Sequence, residues 1–585
     1  MASATGDARA DFLAAVPVFA GLPPAMRATI AERSTWTRVA AGEWVMRQDE
    51  PGDSLFVVGS GRLEILLERP RMEVVRVLTR GSVVGELALL TGSPRSASVR
   101  ARRDSELLRL DRDDFVPLLN EQPDFAVALA HELGHQLQLS RGLPMPAAAL
   151  PATVAIVGLG TQVSLDDFSE ALAAVLGRWK QVATLCPRSE ELAEEEYAAV
   201  LDRCEREHDV VLLLADRERS SRAWNAFCLR QADRILALAG RGADTDALAG
   251  DEHLRGCDLF SLQDGARGAT VRLIERISPR MHRPLPAGAG LSAAVDSIAR
   301  RLAGRSLGIV LSGGGARGFA HIGVLDELQK AGVAIDRVAG CSMGAFVGAM
   351  FVTGMPAAEM VARCRREFVE RSPLSDYTVP SVSLVRGNRA EAMLRRMFGT
   401  QQIEWLPREF FCVTCDLLSG ELVVHRRGPL YEAVGASMCL PAILPPVAQD
   451  GRLLVDGGVL NNLPVEPMAE SGEGPVIASD VTAQFAVSAP TALPHRGAAR
   501  AWFERRVAVR GAGTAPLPGL KETLIRSITI GSVDNVAAAR ERADVLIEPP
   551  TVGTGMLEFA AIDSMVAAGR RAALDALAKE SEILI

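Results

Sequence analysis

The stretch Gly340-Cys341-Ser342-Met343-Gly344 decides the reading of this 585-residue chain. It is a G-x-S-x-G motif. The run Val338–Cys341 before it reads as a short strand, and the apolar run Ala345–Val352 after it reads as a helix. A serine on so tight a strand-to-helix turn is pushed out at the C-terminal edge of a sheet, and its neighbours must be small for the turn to close. Ala345, Gly348 and Ala349 let the helix that follows lie close on that sheet.

Upstream, the predicted strand Leu307–Leu311 runs into Ser312-Gly313-Gly314-Gly315-Ala316-Arg317-Gly318, and a helix is predicted over Phe319–Lys330. Glycines free the backbone to aim several N–H groups at one place, and a helix N-terminus adds a positive dipole end. No G-K-[ST] follows, so a Walker loop fits poorly. Beside a nucleophile elbow, the loop reads as an oxyanion hole. Downstream, Val455-Asp456-Gly457-Gly458 places a carboxylate at a strand end, where it can reach the serine; on its own this motif would read as a tight turn. Further strands at Phe410–Cys415, Leu453–Val455 and Val476–Ala478 alternate with helical patterns, which predicts an α/β domain. Ser488–Leu517, rich in Pro, Ala, Gly and Arg, reads as an insertion.

These three motifs, in this order and with the proline-bearing Ala436–Pro446 block between them, resemble the patatin-like phospholipases over about residues 307–578. The resemblance implies a Ser–Asp dyad acting on carboxylic esters of lipids through an acyl-serine intermediate. Carried over by residue, it implies Ser342 as nucleophile, Asp456 as general base, Gly313, Gly314 and Gly315 as the oxyanion hole, and Arg317 in support. Two alternatives stay open: a Ser342–Asp456–His495 triad in the order of the α/β-hydrolases, and a non-catalytic signalling or scaffold protein. His321 reads as a packed, hydrogen-bonded residue of the first helix.

The N-terminal third has a different rhythm. Ser54–Val58 and Arg62–Leu67 read as strands joined by a Gly59-Ser60-Gly61 hairpin turn. Val74–Leu78 and Leu107–Leu110 read as further strands, and Asp113–Leu139 reads as helical. Gly85-Glu86-Leu87-Ala88-Leu89-Leu90, followed by Arg95-Ser96, brings backbone N–H groups, one carboxylate and one guanidinium into a short loop; a guanidinium can pair bidentately with a phosphate. The segment resembles the phosphate-binding cassette of cyclic-nucleotide-binding domains. That resemblance implies Arg95 on the cyclic phosphate, Glu86 on the ribose hydroxyl, and Gly85, Leu87, Ala88 and Ser96 around the ligand. Ser96 suggests cAMP, with cGMP open.

Between Pro/Ala-rich linkers at Pro144–Pro151 and Pro284–Gly290, apolar runs at Thr153–Val157, Val182–Leu185, Val210–Leu214 and Ile235–Leu238 predict parallel βαβ units. The expected organisation is therefore multidomain: a β-barrel with helices of the cyclic-nucleotide-binding type over 1–145, a Rossmann-like α/β linker domain over 146–290, and a patatin-like hydrolase domain over 291–585. Both modules together resemble neuropathy target esterase and its bacterial relatives, which implies phospholipid or lysophospholipid substrates.

Composition bounds the rest. A net charge of −8 argues against a general nucleic-acid binder, which needs basic surface to displace counterions. The N-terminus lacks a signal-peptide pattern, and no run reaches the ~18 apolar residues of a membrane span. A cytoplasmic enzyme that meets lipid at the inner face of a membrane is expected. Leu440–Val447, beside the catalytic aspartate, reads equally as a membrane-facing stretch or a core turn. His131-Glu132-Leu133-Gly134-His135 matches the first half of a zinc-protease motif, but Gln138 and Arg141 stand where the extended motif needs glycine and histidine. Cys412-x-x-Cys415 has no second pair. No metal and no catalytic cofactor is assigned.

Overall fold

The computed structural model describes residues 9–68, 73–121, 150–160, 164–186, 196–216, 219–240, 252–262, 267–286, 289–379, 381–482 and 530–584. The chain forms two compact units, Met1–Ala303 and Gly304–Ile585.

In the first unit, helices Pro17–Ala20 and Pro24–Arg33 precede six antiparallel strands: β1 (Thr35–Val39), β2 (Trp44–Met46), β3 (Ser54–Leu67), β4 (Glu73–Leu78), β5 (Val83–Val84) and β6 (Ser98–Asp111). Alternate residues of a strand face opposite sides, and here both sides are covered. Leu55 and Val57 pack with Phe19, Ile30 and Phe115 from the helical segments, while Phe56 and Val58 pack with Leu63, Val99 and Leu107. The predicted hairpin at Gly59–Gly61 does not form. β3 is one strand that stays on β6 from Ser54 to Leu66, with register shifts between Val58 and Leu63. Gly61, at φ +88°, takes the left-handed conformation of a bulge, and a Cβ at Gly59 would overlap the Trp36 ring. The glycines thus bend the strand without reversing it. Helix Arg112–Glu121 follows; the rest of the predicted helix, including His131 and His135, lies outside the described residues.

Next come β7 (Thr153–Leu159), β8 (Val182–Leu185), β9 (Val210–Ala215), β10 (Arg234–Ala239), β11 (Asp258–Leu262) and β12 (Met281–Leu285), all parallel, in the order β12-β11-β10-β7-β9-β8. Their near-continuous apolar runs reflect burial on both faces. Counted within the sheet, the order is 2-3-1-4-5-6, which exchanges the second and third strands of the usual dinucleotide-binding 3-2-1-4-5-6. Pro284, read from sequence as linker, belongs to β12; it is tolerated because β12 is an edge strand. Helix Ala289–Leu302 buries Val295, Ile298, Ala299 and Leu302 against Phe168, Leu172 and Leu236. The segment 291–303 therefore packs on this layer, although the sequence reading grouped it with the C-terminal domain.

The second unit holds β13 (Leu307–Leu311), β14 (Ile335–Gly340), β15 (Glu409–Asp416), β16 (Leu422–His425), β17 (Val447–Gln449), β18 (Arg452–Asp456), β19 (Val476–Ser479) and β20 (Val545–Ile547). The sheet order is β17-β18-β15-β14-β13-β19-β20, with β16 also on β15. β15, β14, β13, β19 and β20 run parallel; β16, β17 and β18 run antiparallel to their neighbours. Helix Met343–Val352 is buried along its whole length. A Cβ at Gly344 would overlap the Leu311 carbonyl, so the helix approaches the sheet as closely as its small residues predict.

Candidate active site

Two strands meet head to head on one edge of β15. Cys412 pairs with Gly340 of β14 and with His425 of β16, so these lie on opposite edges. Thr414 and Cys415 pair with β16 and also with β18, so β18 shares the β14 edge. β14 runs parallel to β15 and leaves it after Gly340; β18 runs the other way and ends at Asp456, opposite Thr414. The residues that follow β14 and the last residue of β18 are thereby brought together.

Ser342 occupies this junction at φ +53°, ψ −123°. Such a conformation is costly for a residue with a Cβ and is held only where the surroundings fix it. Helix Met343–Val352 starts immediately after it, and the Ser342 N–H donates to Ser437 Oγ at 3.0 Å. The Ser342 side chain lies beside Asp456 and opposes the rise of its pKa. Asp456 is 3% exposed and accepts from the Gly458 N–H at 2.8 Å and the Cys341 thiol at 3.4 Å. Burial raises its pKa above the ordinary carboxylate value, and these hydrogen bonds oppose the shift. A buried carboxylate of raised affinity for protons, in contact with a serine hydroxyl, is equipped to take the hydroxyl proton.

The glycine loop lies against the serine: a Cβ at Gly313 would overlap Asn462 Oδ1 and stand 3.0 Å from the Ser342 Cβ. Its three amides are not equivalent. The Gly313 N–H donates to the Asn462 carbonyl at 3.2 Å, whereas the N–H groups of Gly314 and Gly315 have no backbone acceptor among the described residues. Asn462 Nδ2 donates in return to the Gly313 carbonyl at 3.0 Å and to Thr482 Oγ1 at 2.9 Å. Gly315 sits at φ +58° with the Met556 carbonyl where a side chain would be. Arg317 is 7% exposed, and its Nε donates to the Thr554 carbonyl at 3.0 Å, which ties the loop to the 551–558 segment. A single 3-10 turn, Gly315–Phe319, precedes helix Ala320–Lys330, so the helix begins one residue later than predicted.

Ser342 opens into a cavity of about 520 Å³ whose lining is mainly apolar and includes Phe368, Met393, Leu394, Ile443, Leu444 and Met556. Ile443 and Leu444 are 5% and 8% exposed. The membrane-facing reading of Leu440–Val447 is therefore wrong for these two side chains; they are cavity wall, packed with Val385 and tied to residues 384–385 by backbone hydrogen bonds. Asn462 and Ser437 escaped the sequence reading. The signal was there, in a polar residue a few positions after D-G-G and a serine inside an otherwise apolar helix end.

The histidines are placed elsewhere. His321 is fully buried; Nδ1 is 2.9 Å from Ser479 Oγ, Nε2 is 2.9 Å from the Ser312 carbonyl, and burial pushes its pKa down to about 4. His425 bonds Thr414 Oγ1 at 2.8 Å from the far edge of β15. His495 lies outside the described residues. Among the described residues no histidine is hydrogen-bonded to Ser342 or Asp456, and no cluster of His, Cys, Asp or Glu is arranged to hold a metal. Cys412 and Cys415 are buried free thiols.

In the first unit, the cassette forms one connected structure. Gly85, at φ +91°, starts helix Glu86–Thr91, and Gly92 ends it. Arg95, 3% exposed, donates from Nη1 to the Gly85 carbonyl at 3.0 Å and from Nη2 to Asp53 at 3.2 Å and Ser54 Oγ at 3.3 Å. Its own backbone is clasped by Asp49 and Glu50. A cavity of about 120 Å³ brings Gly85, Glu86, Leu87, Ala88, Arg95 and Ser96 together. Glu86 is buried, while Leu87 and Ser96 are exposed.

The described helices include none long and apolar enough to cross a membrane. The patatin-like phospholipase profile matches residues 309–469, and the cyclic nucleotide-binding domain profile matches residues 36–122. An uncharacterised NTE family protein of Mycobacterium tuberculosis is 34% identical over 97% of this chain and 96% of its own length. The patatin-like phospholipase domain-containing protein 6 of Homo sapiens is 32% identical over 77% of this chain and 38% of its own length. The lysophospholipase nte1 of Aspergillus fumigatus is 27% identical over 91% of this chain and 41% of its own length.

Proposed function

The chain belongs to the NTE family of patatin-like phospholipases, and from that premise we propose that it hydrolyses the carboxylic esters of phospholipids or lysophospholipids with Ser342 and Asp456 as a two-residue unit. The strained Ser342 at the end of β14, set beside the buried Asp456 at the end of β18 and opening into an apolar cavity, carries this reading. Asp456 accepts the Ser342 proton as Oγ attacks the ester carbon. The oxyanion forms against the amides of Gly314 and Gly315, while Gly313, its amide committed to Asn462, holds the loop in place. The leaving alcohol takes the proton from Asp456 and departs, which leaves the acyl chain on Ser342 in the cavity. Asp456 then deprotonates a water that attacks the acyl-serine, and the fatty acid leaves as the proton returns to Ser342.

A labelled fluorophosphonate tests this, because only an activated serine reacts. Mass spectrometry should locate the adduct on Ser342, and purified chain should release fatty acid from a lysophospholipid. An unlabelled, folded protein would leave the scaffold reading in its place.

The cyclic-nucleotide-binding domain supports a second part of the proposal. A cyclic nucleotide, cAMP before cGMP, binds with its phosphate on Arg95 and its ribose on Glu86, with Gly85, Leu87, Ala88 and Ser96 around it, and regulates the hydrolase. The 1–145, 146–303 and 304–585 segments then act as sensor, coupling element and enzyme, in a cytoplasmic protein that works at a membrane surface.

A further inference from the structure

The cavity reaches the surface beside a short hairpin. Tyr377 and Val385 form an isolated antiparallel bridge, and the Thr378 N–H donates to the Leu384 carbonyl at 3.1 Å. The base of the hairpin is fastened to the cavity wall: Leu384 and Val385 donate to the carbonyls of Ala442 and Ile443 at 2.9 and 3.0 Å. Leu374 and Arg386, just outside the two arms, line the cavity itself. The arms beyond that base are exposed. Val379 is 81% exposed, Val382 68% and Tyr377 67%. Single exposed apolar side chains are ordinary on a protein surface, but three within six positions, between cavity-lining Leu374 and Arg386, form a patch. Leu557, 40% exposed, adds an apolar residue from the 551–558 segment that also lines the cavity. Exposed Arg386 and Arg389 flank the hairpin.

We propose that this hairpin docks the chain on a phospholipid surface, with Tyr377, Val379 and Val382 entering the acyl boundary and Arg386 and Arg389 meeting headgroup phosphates. The inference rests on the lipid-hydrolase reading for its purpose. A substrate whose acyl chain must travel from bilayer to cavity meets water least if the cavity opens at the bilayer surface. A hairpin whose base is cavity wall and whose tip is apolar sets the mouth there. Apolar tips with basic neighbours are the chemistry that holds peripheral proteins at the interface.

The test uses the full chain with Ser342→Ala, so that binding is measured without turnover and independently of whether Ser342 is the nucleophile. Co-flotation with vesicles of phosphatidylcholine and phosphatidylglycerol should show binding, and Val379→Asp with Val382→Asp should weaken it about tenfold or more. The same pair in the active chain should leave the melting temperature and the turnover of a short soluble ester within about twofold, while hydrolysis of vesicle lipid falls with binding. Undiminished vesicle binding by the double variant, or no binding by the parent chain, overturns the proposal. So does a change from dimer to monomer on sizing, which would make the patch a contact between two copies. A failed fluorophosphonate reaction with intact vesicle binding would sink the hydrolase reading and leave the docking surface standing.

Discussion

The Ser342 amide donates to the Ser437 hydroxyl at 3.0 Å, and that hydroxyl donates in turn to the Val413 carbonyl at 2.8 Å. Ser437 is fully buried at the end of helix Leu430–Ser437. One side chain therefore fixes the strained turn of β14 to strand β15. Ser437→Ala leaves a buried N–H and a buried carbonyl without that partner, at a cost of roughly 1–3 kcal/mol. Steady-state kinetics should show kcat lowered with KM little changed, since the serine is misplaced but the cavity is not. An equal change in both constants would mean that Ser437 matters only for packing.

Asp456 makes two opposite demands on pH. Its folded pKa is raised by burial, so the folded state binds the proton more tightly than the unfolded chain. Its contribution to stability is full below the unfolded pKa and is lost as pH rises through the folded one. Activity needs the ionised form and should fall as pH drops, with its acid limb above the ordinary carboxylate value of about 3.9. Asp456→Asn should abolish hydrolysis, beyond the roughly 10²–10³ loss of one oxyanion donor, and should melt no lower than the parent at neutral pH. Thermal melts and a pH–rate profile check both halves.

Asn462 clasps Gly313 through two hydrogen bonds, one in each direction. Asn462→Ala keeps the backbone bond but removes the side-chain bonds to the Gly313 carbonyl and Thr482, and should slow fluorophosphonate labelling of Ser342 by at least about tenfold as the amides of Gly314 and Gly315 lose their placement. Retained labelling with lost thermal stability would give Asn462 a structural role alone.

Arg95 is held ready by Gly85, Asp53 and Ser54. Calorimetry should find a cyclic nucleotide site that Arg95→Ala destroys, and any effect of the nucleotide on hydrolysis should vanish with it. A typical coupling of roughly 1–3 kcal/mol corresponds to a ~5- to 150-fold change in affinity. No binding at millimolar nucleotide would end the regulatory reading.

Ile443 distinguishes cavity wall from membrane contact. Ile443→Asp buries a carboxylate beside Leu444 and Val385, which costs several kcal/mol or neutralises the group. Turnover of soluble ester and of vesicle lipid should fall together, with a lower melting temperature.

The sequence by itself determined the three local motifs: the elbow at Gly340–Gly344, the glycine loop after β13 and the aspartate before Gly457. Each is a few consecutive residues whose chemistry is set by the turn they make, so each is legible without knowing what lies beside it. The parallel apolar runs of the middle segment were legible for the same reason, because burial on both faces leaves a continuous hydrophobic signal. Only the tertiary structure decided what the motifs meet. Asp456 reaches Ser342 because β18 runs antiparallel along the edge that β14 vacates, and strand direction leaves no local mark. Gly313 and Gly314 look alike as residues and differ only through Asn462. Gly59-Ser60-Gly61 has the composition of a turn and becomes a bulge because β6 offers a continuous partner. β12 carries His282, Arg283 and Pro284 and was missed, since an edge position supplies the tolerance that composition cannot signal. Ile443 and Leu444 are apolar in either reading, and only the packing of the chain around them makes them the wall of the cavity.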